Sequence, residues 1–249
     1  MDSPPTTLFI SDLHLARSRP DITEQFQAFL AGPARKAEAL YILGDLFESW
    51  IGDDATGEFE KRIAGALRAL ASQGTRLAFL HGNRDFLLGT QFCERAGMTL
   101  LDQPHVIDLY GTRTVLLHGD QLCSLDLRYQ RYRKRVNAPE WQSRMLARPI
   151  WFRRGVAALL RGASRLHNRD PAAVEMDVVD ADAEELFQRS GASRMIHGHT
   201  HRPFRHVHRV PGRTTERIVL GDWYAQGSVL TVTPDSLSLD TLERDRPPD

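Results

Sequence analysis

Short apolar runs, several of them rich in β-branched residues, recur along the chain and have the length of buried strands. Six of these runs cover residues 8–11, 40–43, 77–80, 115–117, 194–196 and 218–220, and a hairpin is expected from 228–233 and 237–242. Helical patterns lie between some of the strands, at residues 21–30, with Asp21 as the expected N-cap, and at 58–71, which ends before Gly74. Strands that alternate with helices predict an α/β layered sheet.

One long segment, residues 125–170, interrupts this alternation. It is helical in composition, and Pro139 and Pro149 are expected to break it into two or three short helices. We interpret it as an insertion over the sheet within a single domain that covers 1–249, because about 45 residues bury too little to hold a strong core alone.

Composition narrows the class of protein. The 249 residues are 41% hydrophobic and 26% charged, which excludes wholesale disorder and a polytopic membrane protein. No run approaches the ~18 apolar residues of a spanning helix, and no secretory signal is visible. Cys93 and Cys123 cannot form a disulfide framework, so a reducing cytoplasm is the expected compartment.

The net charge is zero, yet the basic residues are concentrated in the insertion. From Arg128 to Arg169 there are twelve lysines or arginines and one acid, Glu140. Such a block predicts a negatively charged partner (phosphate, nucleic acid or an anionic membrane) or simply a solvated helix face.

Side chains that bind metals follow five of the predicted strands directly. These side chains are Asp12 and His14 in SDLHL, Asp45 in GD, Asn83 in HGNRD, His118 in HGD, and His199 and His201 in HGHTH. Ligands of open α/β sheets bind outside the carboxyl ends of the strands, so we expect the seven side chains to converge.

These seven donors combine oxygen and imidazole without a thiolate, a mixture that suits Mn, Fe or Zn. Asp12 and His14 are two residues apart, as are His199 and His201, so each pair can point to one side and bind one ion. Asp45 can bridge two ions through its two oxygens. Seven donors are too many for one tetrahedral site and predict a pair of ions.

The ordered set DLH, GDLFE, GNRD, HGD and GHTH resembles the calcineurin-like metallophosphoesterase superfamily across most of the chain. Longer strings, such as ALYILGDLFESWIGDD and VLGDWYAQGS, are similar to the UDP-2,3-diacylglucosamine diphosphatases of lipid A synthesis. The resemblance implies a four-layer αββα sandwich with the site at the edge of its two sheets.

The same resemblance implies two Mn²⁺ ions per chain and assigns their ligands. The first ion would take Asp12, His14, Asp45 and His201, and the second would take Asp45, Asn83, His118 and His199. Catalytic roles fall to Asp45, Asn83, Arg84 and His118, and substrate contacts to Asn83, Arg84, Asp126, Ser164, Asn168 and His199. Pro171 departs from the family, which has a lysine there; Arg169 stands nearby. His81, His197, Asp85 and Asp120 are expected to pack or to orient ligands.

The implied reaction is hydrolysis of UDP-2,3-diacylglucosamine at the α-phosphate by a water that two metals activate, giving UMP and 2,3-diacylglucosamine 1-phosphate (lipid X). Many members of the superfamily have a histidine after GN, where this chain has Arg84. Arginine cannot act as an acid but can contact phosphate with two hydrogen bonds, which favours a diphosphate whose leaving group needs no proton. The alternatives are a phosphoesterase acting on nucleotides or nucleic acid, and a non-catalytic scaffold.

On this interpretation the insertion binds the acyl chains. Two acyl chains need an apolar groove, since each buried CH₂ group contributes ~0.8 kcal/mol. The residues expected to line it are Trp141, Met145, Leu146, Trp151, Phe152 and Leu159. The expected partners are therefore the lipid substrate and an anionic inner-membrane surface, with peripheral attachment on the cytoplasmic face. Neither nucleic acid nor a protein partner is expected.

Overall fold

The computed structural model describes residues 4–167 and 177–243, which form eleven β-strands and seven α-helices. The strands are β1 (Thr7–Ile10), β2 (Ala39–Leu43), β3 (Arg76–Leu80), β4 (Met98–Leu100), β5 (His105–Leu109), β6 (Thr112–Leu116), β7 (Arg194–His197), β8 (Phe204–Val210), β9 (Arg213–Val219), β10 (Gly227–Val232) and β11 (Leu237–Leu242). The helices are α1 (Pro20–Ala31), α2 (Glu58–Ala71), α3 (Thr90–Ala96), α4 (Leu127–Val136), α5 (Pro139–Leu146), α6 (Ile150–His167) and α7 (Asp180–Ser190).

The strands divide into two sheets. The first sheet has the order β11-β10-β1-β2-β3-β4, in which β1 to β4 are parallel and β10 runs antiparallel to β1. The second has the order β5-β6-β7-β9-β8, with β6, β7 and β9 parallel. The carboxyl ends of β1, β2 and β3 in one sheet and of β6 and β7 in the other carry the predicted ligands.

Side-chain alternation along the strands sorts the core into three apolar layers. On β1, Leu8 and Ile10 pack with α1 and α2, whereas Phe9 packs between the sheets with Leu116 and Ile218. On the far side of the second sheet, Met195 packs with α7. The order of layers is helices, sheet, sheet, helix, which confirms the expected αββα sandwich.

The start of α1 differs from the prediction. Its N-cap is Arg19, whose side chain makes no capping bond, and Pro20 is the first helical residue. Proline at this position is preorganised for a helix, so the helix begins one residue before Asp21. Asp21 therefore lies in the first turn, where its carboxylate pairs with the Arg19 guanidinium at 2.7 Å. Helix α2 has its predicted bounds.

The segment predicted as an insertion contains the three helices α4, α5 and α6. Pro139 is the first residue of α5, and Pro149 stands just before α6. Asp120, which follows β6, fixes α4 to the sheets by accepting hydrogen bonds from the Tyr129 hydroxyl at 2.8 Å and Arg133 Nε at 2.7 Å. Among the described residues, no helix is both long enough and apolar enough to cross a membrane.

Candidate metal centre

The seven predicted ligands converge where the two sheets meet. Asp12 and His14 follow β1, Asp45 follows β2, and Asn83 follows β3 by three residues. From the second sheet come His118, two residues after β6, and the pair His199 and His201 after β7. The loops after β1 and β2 stay paired, since the His14 amide donates to the Asp45 carbonyl at 2.9 Å.

One half of the cluster surrounds Asp12. Its Oδ1 lies 3.2 Å from His201 Nε2 and 4.0 Å from His14 Nε2. Its Oδ2 accepts hydrogen bonds from the Ser11 hydroxyl at 2.5 Å and the His199 amide at 2.9 Å. The carboxylate is therefore fixed by one oxygen and presents the other to two imidazoles.

The other half surrounds Asn83, whose Oδ1 lies 2.9 Å from His118 Nε2 and 3.2 Å from His199 Nδ1. Asp45 lies between the halves, because its Oδ2 is 3.8 Å from Nε2 of both His14 and His118. Its Oδ1 accepts the Arg84 amide at 2.8 Å. Asp45 therefore faces both halves through Oδ2 alone, whereas the sequence interpretation expected it to use both oxygens; a bridging role for it stays a prediction.

Backbone strain is concentrated at these residues. Six described non-glycine residues have a positive φ, and five of them are predicted ligands: Asp12, His14, Asp45, His199 and His201, with φ from 51° to 70°. Such conformations are uncommon outside glycine and persist where the surrounding structure holds them, often at functional sites.

Two glycines allow the ligand loops to lie this close together. A Cβ at Gly82 would overlap the carboxylate and amide of Asp45, and one at Gly198 would overlap Ser11 Oγ and Asp12 Oδ2. Gly82 therefore brings the loop after β3 against Asp45, and Gly198 brings the loop after β7 against Asp12.

Burial and neighbouring charges shift the pKa values of the carboxylates and imidazoles in the cluster. Burial alone would raise the pKa of Asp12, but the imidazoles of His201, His118 and His14 outweigh it and lower that pKa. Burial alone would lower the pKa of His201, but the charge of Asp12 and the hydrogen bonds to Asp12 and Asp222 raise it to about 10. Burial, followed by His118, lowers the pKa of His199 to about 4, which leaves the neutral imidazole that metals bind.

The arrangement fits divalent cations. His14 is 3% exposed; its Nδ1 lies 3.3 Å from Glu48 Oε2, and its Nε2, which faces the cluster, makes no hydrogen bond among the described residues. Its Nε2 is 3.8 Å from Asp45 and 4.0 Å from Asp12, too far for hydrogen bonds but suitable for oxygen and nitrogen ligands around one ion.

Other side chains hold the ligands in place. His118 Nδ1 bonds the Leu43 carbonyl at 2.9 Å, which leaves Nε2 for a metal. The buried Asp85 carboxylate accepts the amides of Gly82 at 2.8 Å and Leu46 at 2.7 Å, so it ties the loops after β2 and β3 together. His81 Nε2 lies 2.6 Å from the Leu88 carbonyl, outside the cluster.

Asp222 is a supporting residue that the sequence interpretation missed. Its Oδ2 lies 3.3 Å from His201 Nδ1, which orients that imidazole from outside the cluster. The signal was present, because Leu220-Gly221-Asp222 repeats the strand–Gly–Asp pattern of Asp45 and follows β9. Tyr224, two residues on, stacks on His14 with ring centroids 4.9 Å apart.

Comparison with known proteins decides the family. Residues 5–203 match the calcineurin-like phosphoesterases. The chain belongs to this family. It is also 48% identical to UDP-2,3-diacylglucosamine hydrolases from Cellvibrio japonicus (94% of this chain and 97% of the relative), Xanthomonas campestris (95% and 99%) and Stenotrophomonas maltophilia (96% and 100%). Family membership and the ligand groups around Asp12 make this a divalent-metal centre.

A cleft of about 260 Å³ opens beside the metal centre of this phosphoesterase. The predicted ligand Asn83, the neighbouring Arg84 and Asp126, the N-cap of α4, all line it. Most of the remaining lining is apolar and includes Trp50, Phe86, Trp141, Met145, Val156 and Leu160. The side chain of Ser164 and the whole of Asn168, Arg169 and Pro171 lie outside the described residues, so those predictions stay predictions.

Four of the six residues expected to form the acyl groove do not line this cleft. Trp141 and Met145 do, but Leu146, Trp151, Phe152 and Leu159 are exposed, Trp151 by 73% and Leu159 by 74%. Leu146 ends α5; for the other three the reason is the rotation of α6, which turns Arg153, Val156, Ala157 and Leu160, spaced three and four residues apart, toward the cleft. Trp151 and Leu159 therefore face outward.

The structure also identifies cleft residues that the sequence interpretation did not single out. Tyr129 and Tyr132 of α4 line the cleft, and the Tyr129 ring lies 6.0 Å from that of His199. Arg153 is buried, and its guanidinium bonds the Asp54 carboxylate and the Ile51 carbonyl. Only the tertiary fold distinguishes this arginine from its solvated neighbours in the basic block.

Proposed function

We propose that this phosphoesterase hydrolyses UDP-2,3-diacylglucosamine at its α-phosphate, releasing UMP and 2,3-diacylglucosamine 1-phosphate, as a step of lipid A biosynthesis. The names of relatives that are 48% identical over nearly their full length support this substrate. The observation that carries the proposal is that an apolar cleft begins at the metal centre. Asn83 and Arg84 lie at the junction, where a diphosphate attached to a lipid would be placed.

The character of the cleft favours a lipid over the alternative substrates, nucleotides or nucleic acid. A site for nucleic acid would place cations along the phosphodiester backbone and aromatic side chains that stack on the bases. Arg128 and the Asp54-paired Arg153 also line this cleft, but most of its lining is apolar, including Trp50, Trp141, Met145 and Leu160, and is suited to acyl chains. At ~0.8 kcal/mol for each buried CH₂ group, such chains supply much of the binding free energy.

We assign two Mn²⁺ ions to the centre. The first would be held by Asp12, His14, Asp45 and His201, and the second by Asp45, Asn83, His118 and His199. The mixture of carboxylate, amide and imidazole donors supports manganese, and the position of Asp45 between the two halves supports a pair of ions. When bound, such ions ionise a water near neutral pH and neutralise charge on the phosphoryl oxygens.

Arg84 is the residue that adapts the site to a diphosphate. It lines the cleft at the metal centre, while the carboxylate of the adjacent Asp85 is occupied by backbone amides. A guanidinium binds phosphate with two hydrogen bonds and stabilises the negative charge that develops as the bond to the leaving phosphate breaks. It cannot donate a proton, and a phosphate monoester leaves without one.

The proposed substrate is tested by a comparison that removes only the acyl chains. With Mn²⁺ present, we expect UMP release from UDP-2,3-diacylglucosamine in detergent micelles at a far higher kcat/KM than from UDP-N-acetylglucosamine. Single-stranded DNA is the third arm of the assay. Equal rates on the two UDP-sugars, or faster cleavage of DNA, would refute the lipid assignment.

We further propose that the protein attaches peripherally to the cytoplasmic face of the inner membrane. The outward face of α6 supports this, since exposed Trp151 and Leu159 flank Gly155 and Ala158 on one side of the helix. The Arg148 guanidinium lies 5.7 Å from the centroid of Phe152 beside this face. Exposed apolar residues bordered by arginines are typical of helices that lie on anionic lipid surfaces.

Vesicle sedimentation tests this attachment. The protein should bind vesicles that contain phosphatidylglycerol, and added salt should weaken the binding because the arginine contribution is screened. Trp151→Ser should weaken binding at every salt concentration, whereas Arg113→Ser, an exposed arginine on β6, should leave it unchanged. Binding that ignores salt and both substitutions would contradict the proposal.

A further inference from the structure

Arg217, on β9, is buried in the second sheet, and its hydrogen-bond partners there are imidazoles. Its Nε donates to His208 Nε2 at 3.1 Å, and its Nη1 lies 3.3 Å from His197 Nε2. The closest carboxylate pairing is looser, with Asp180 Oδ1 at 3.6 Å from Nη2. Arg217 and His197 are 3% and 0% exposed, so water has little access to this contact.

The guanidinium of Arg217 determines which ring nitrogen of His197 carries the proton. Arginine has only donors, so Nε2 of His197 must be an acceptor and carry no proton. The proton of the neutral ring is then on Nδ1, which donates to the Gly198 carbonyl at 2.9 Å. Arg217 therefore selects both the tautomer and the orientation of His197.

His197 lies between two loops that carry metal ligands. A Cβ at Gly119, the residue after His118, would come within 2.7 Å of His197 Nδ1, so that loop rests against the imidazole. On the other side, His197 is the last residue of β7 and leads into the loop of His199 and His201, and the Gly198 amide donates to the His118 carbonyl at 2.8 Å. A change in the orientation of His197 would move both loops.

The loop after β7 depends on such a support. His199 and His201 have φ values of 70° and 55°, a conformation that persists only where the surroundings fix it. Orienting contacts of this kind behind metal ligands are known to affect metal binding strongly. The contact from Arg217 to His197 reaches this loop from β9 of the second sheet.

We propose that Arg217 is a positioning residue for the metal centre, acting through His197 to hold the loops of His118, His199 and His201. The proposal rests on the metal centre of the proposed function but not on the identity of its substrate. Arg217→Met removes the donors, and Arg217→Lys keeps a positive charge but loses the planar fork that serves two imidazoles at once. We expect both variants to bind Mn²⁺ about 10- to 100-fold more weakly.

The experiment combines two readouts that need no substrate. Calorimetry measures the affinity for Mn²⁺, and ¹⁵N NMR of the metal-free protein reports which ring nitrogen of His197 carries the proton. Val210→Ala is the matched control, because Val210 on β8 is buried in the apolar cluster beside α7, and its truncation destabilises that layer while leaving Arg217 and His197 unchanged. Its melting temperature calibrates the general effect of lost stability.

The expected result is the Nδ1-protonated tautomer in the wild type and in Val210→Ala, its loss in Arg217→Met, and weakened Mn²⁺ binding in the two Arg217 variants alone. If Arg217→Lys binds Mn²⁺ with wild-type affinity, the role assigned to the planar guanidinium of Arg217 is wrong. An equal loss of affinity in Val210→Ala at an equal melting temperature would show that Arg217 only stabilises the fold. Failure to hydrolyse the UDP-lipid, with these results intact, would refute the proposed substrate and leave the role of Arg217 standing.

Discussion

Replacing Arg153 by methionine should release α6 from the rest of the molecule. The guanidinium of this buried residue bonds both oxygens of Asp54, the Ile51 carbonyl at 2.5 Å, and the Arg148 carbonyl at 2.9 Å. Asp54 and Ile51 belong to the segment after β2, whereas Arg148 lies two residues before the start of α6. These bonds hold the helix whose inner face, with Val156 and Leu160, lines the cleft.

The size of the effect follows from the exposure of the partners. The Asp54 side chain is 58% exposed and regains water, so its ion pair contributes no more than about 1 kcal/mol. The Ile51 carbonyl loses a charged donor, at ~1.5–3 kcal/mol before rehydration, whereas the bond to the Arg148 carbonyl is local to the start of α6 and adds nothing to docking. A net loss of about 2–4 kcal/mol in the docking of α6 corresponds to an opening equilibrium raised roughly 30- to 700-fold.

Hydrogen exchange read by mass spectrometry measures this opening directly. Amides of residues 150–160 should exchange faster in Arg153→Met by that factor, while those of β1 to β3 stay protected. KM for the diacylated substrate should rise, with little change in the hydrolysis of a small phosphodiester such as bis(p-nitrophenyl) phosphate. Arg154→Met is the matched control, since Arg154 is exposed on the next position of the helix. Equal exchange in the two variants would refute the role assigned to Arg153.

Three further predictions concern the metal centre. Arg84→His should lower kcat on the diphosphate about 100-fold or more, as loss of a charge-stabilising donor does; full activity would show that Arg84 has no part in the reaction. Gly82→Ala should weaken Mn²⁺ binding, measured by calorimetry, because its Cβ would overlap Asp45, and unchanged affinity would contradict the close packing. Removal of metal by EDTA should abolish hydrolysis and lower the melting temperature, both restored by Mn²⁺, because ligands that bind only the folded state stabilise it.

The ligand set could be predicted from sequence because its signal is local. A buried strand is recognised as a short apolar run, and the predicted ligand follows its carboxyl end within a few residues, as Asp12, Asp45 and His118 do. The general tendency of sheets to bind ligands at those ends then brought distant residues together. Asp222 could have been found by the same rule applied once more after β9.

The remaining features depend on contacts that are distant in sequence. The division of the strands into two sheets depends on which strands pair. For example, β7 pairs with β9 and leaves β8 at the edge, and no local sequence pattern predicts this pairing. In the insertion, composition predicted helices but not their rotation, so Trp151 and Leu159 were placed in the cleft and Arg153 was not distinguished. Rotation of a helix that is apolar on both faces is set by its anchors, here Asp54 and the carbonyls around it.

Anomalous scattering at the manganese absorption edge, from crystals grown with Mn²⁺, is the most direct measurement of the central claim. We expect two peaks, one beside His14 and His201 and one beside Asn83 and His118, with the carboxylate of Asp45 between them. A single peak, or two peaks away from these side chains, would contradict a binuclear centre assembled from the strand ends of both sheets.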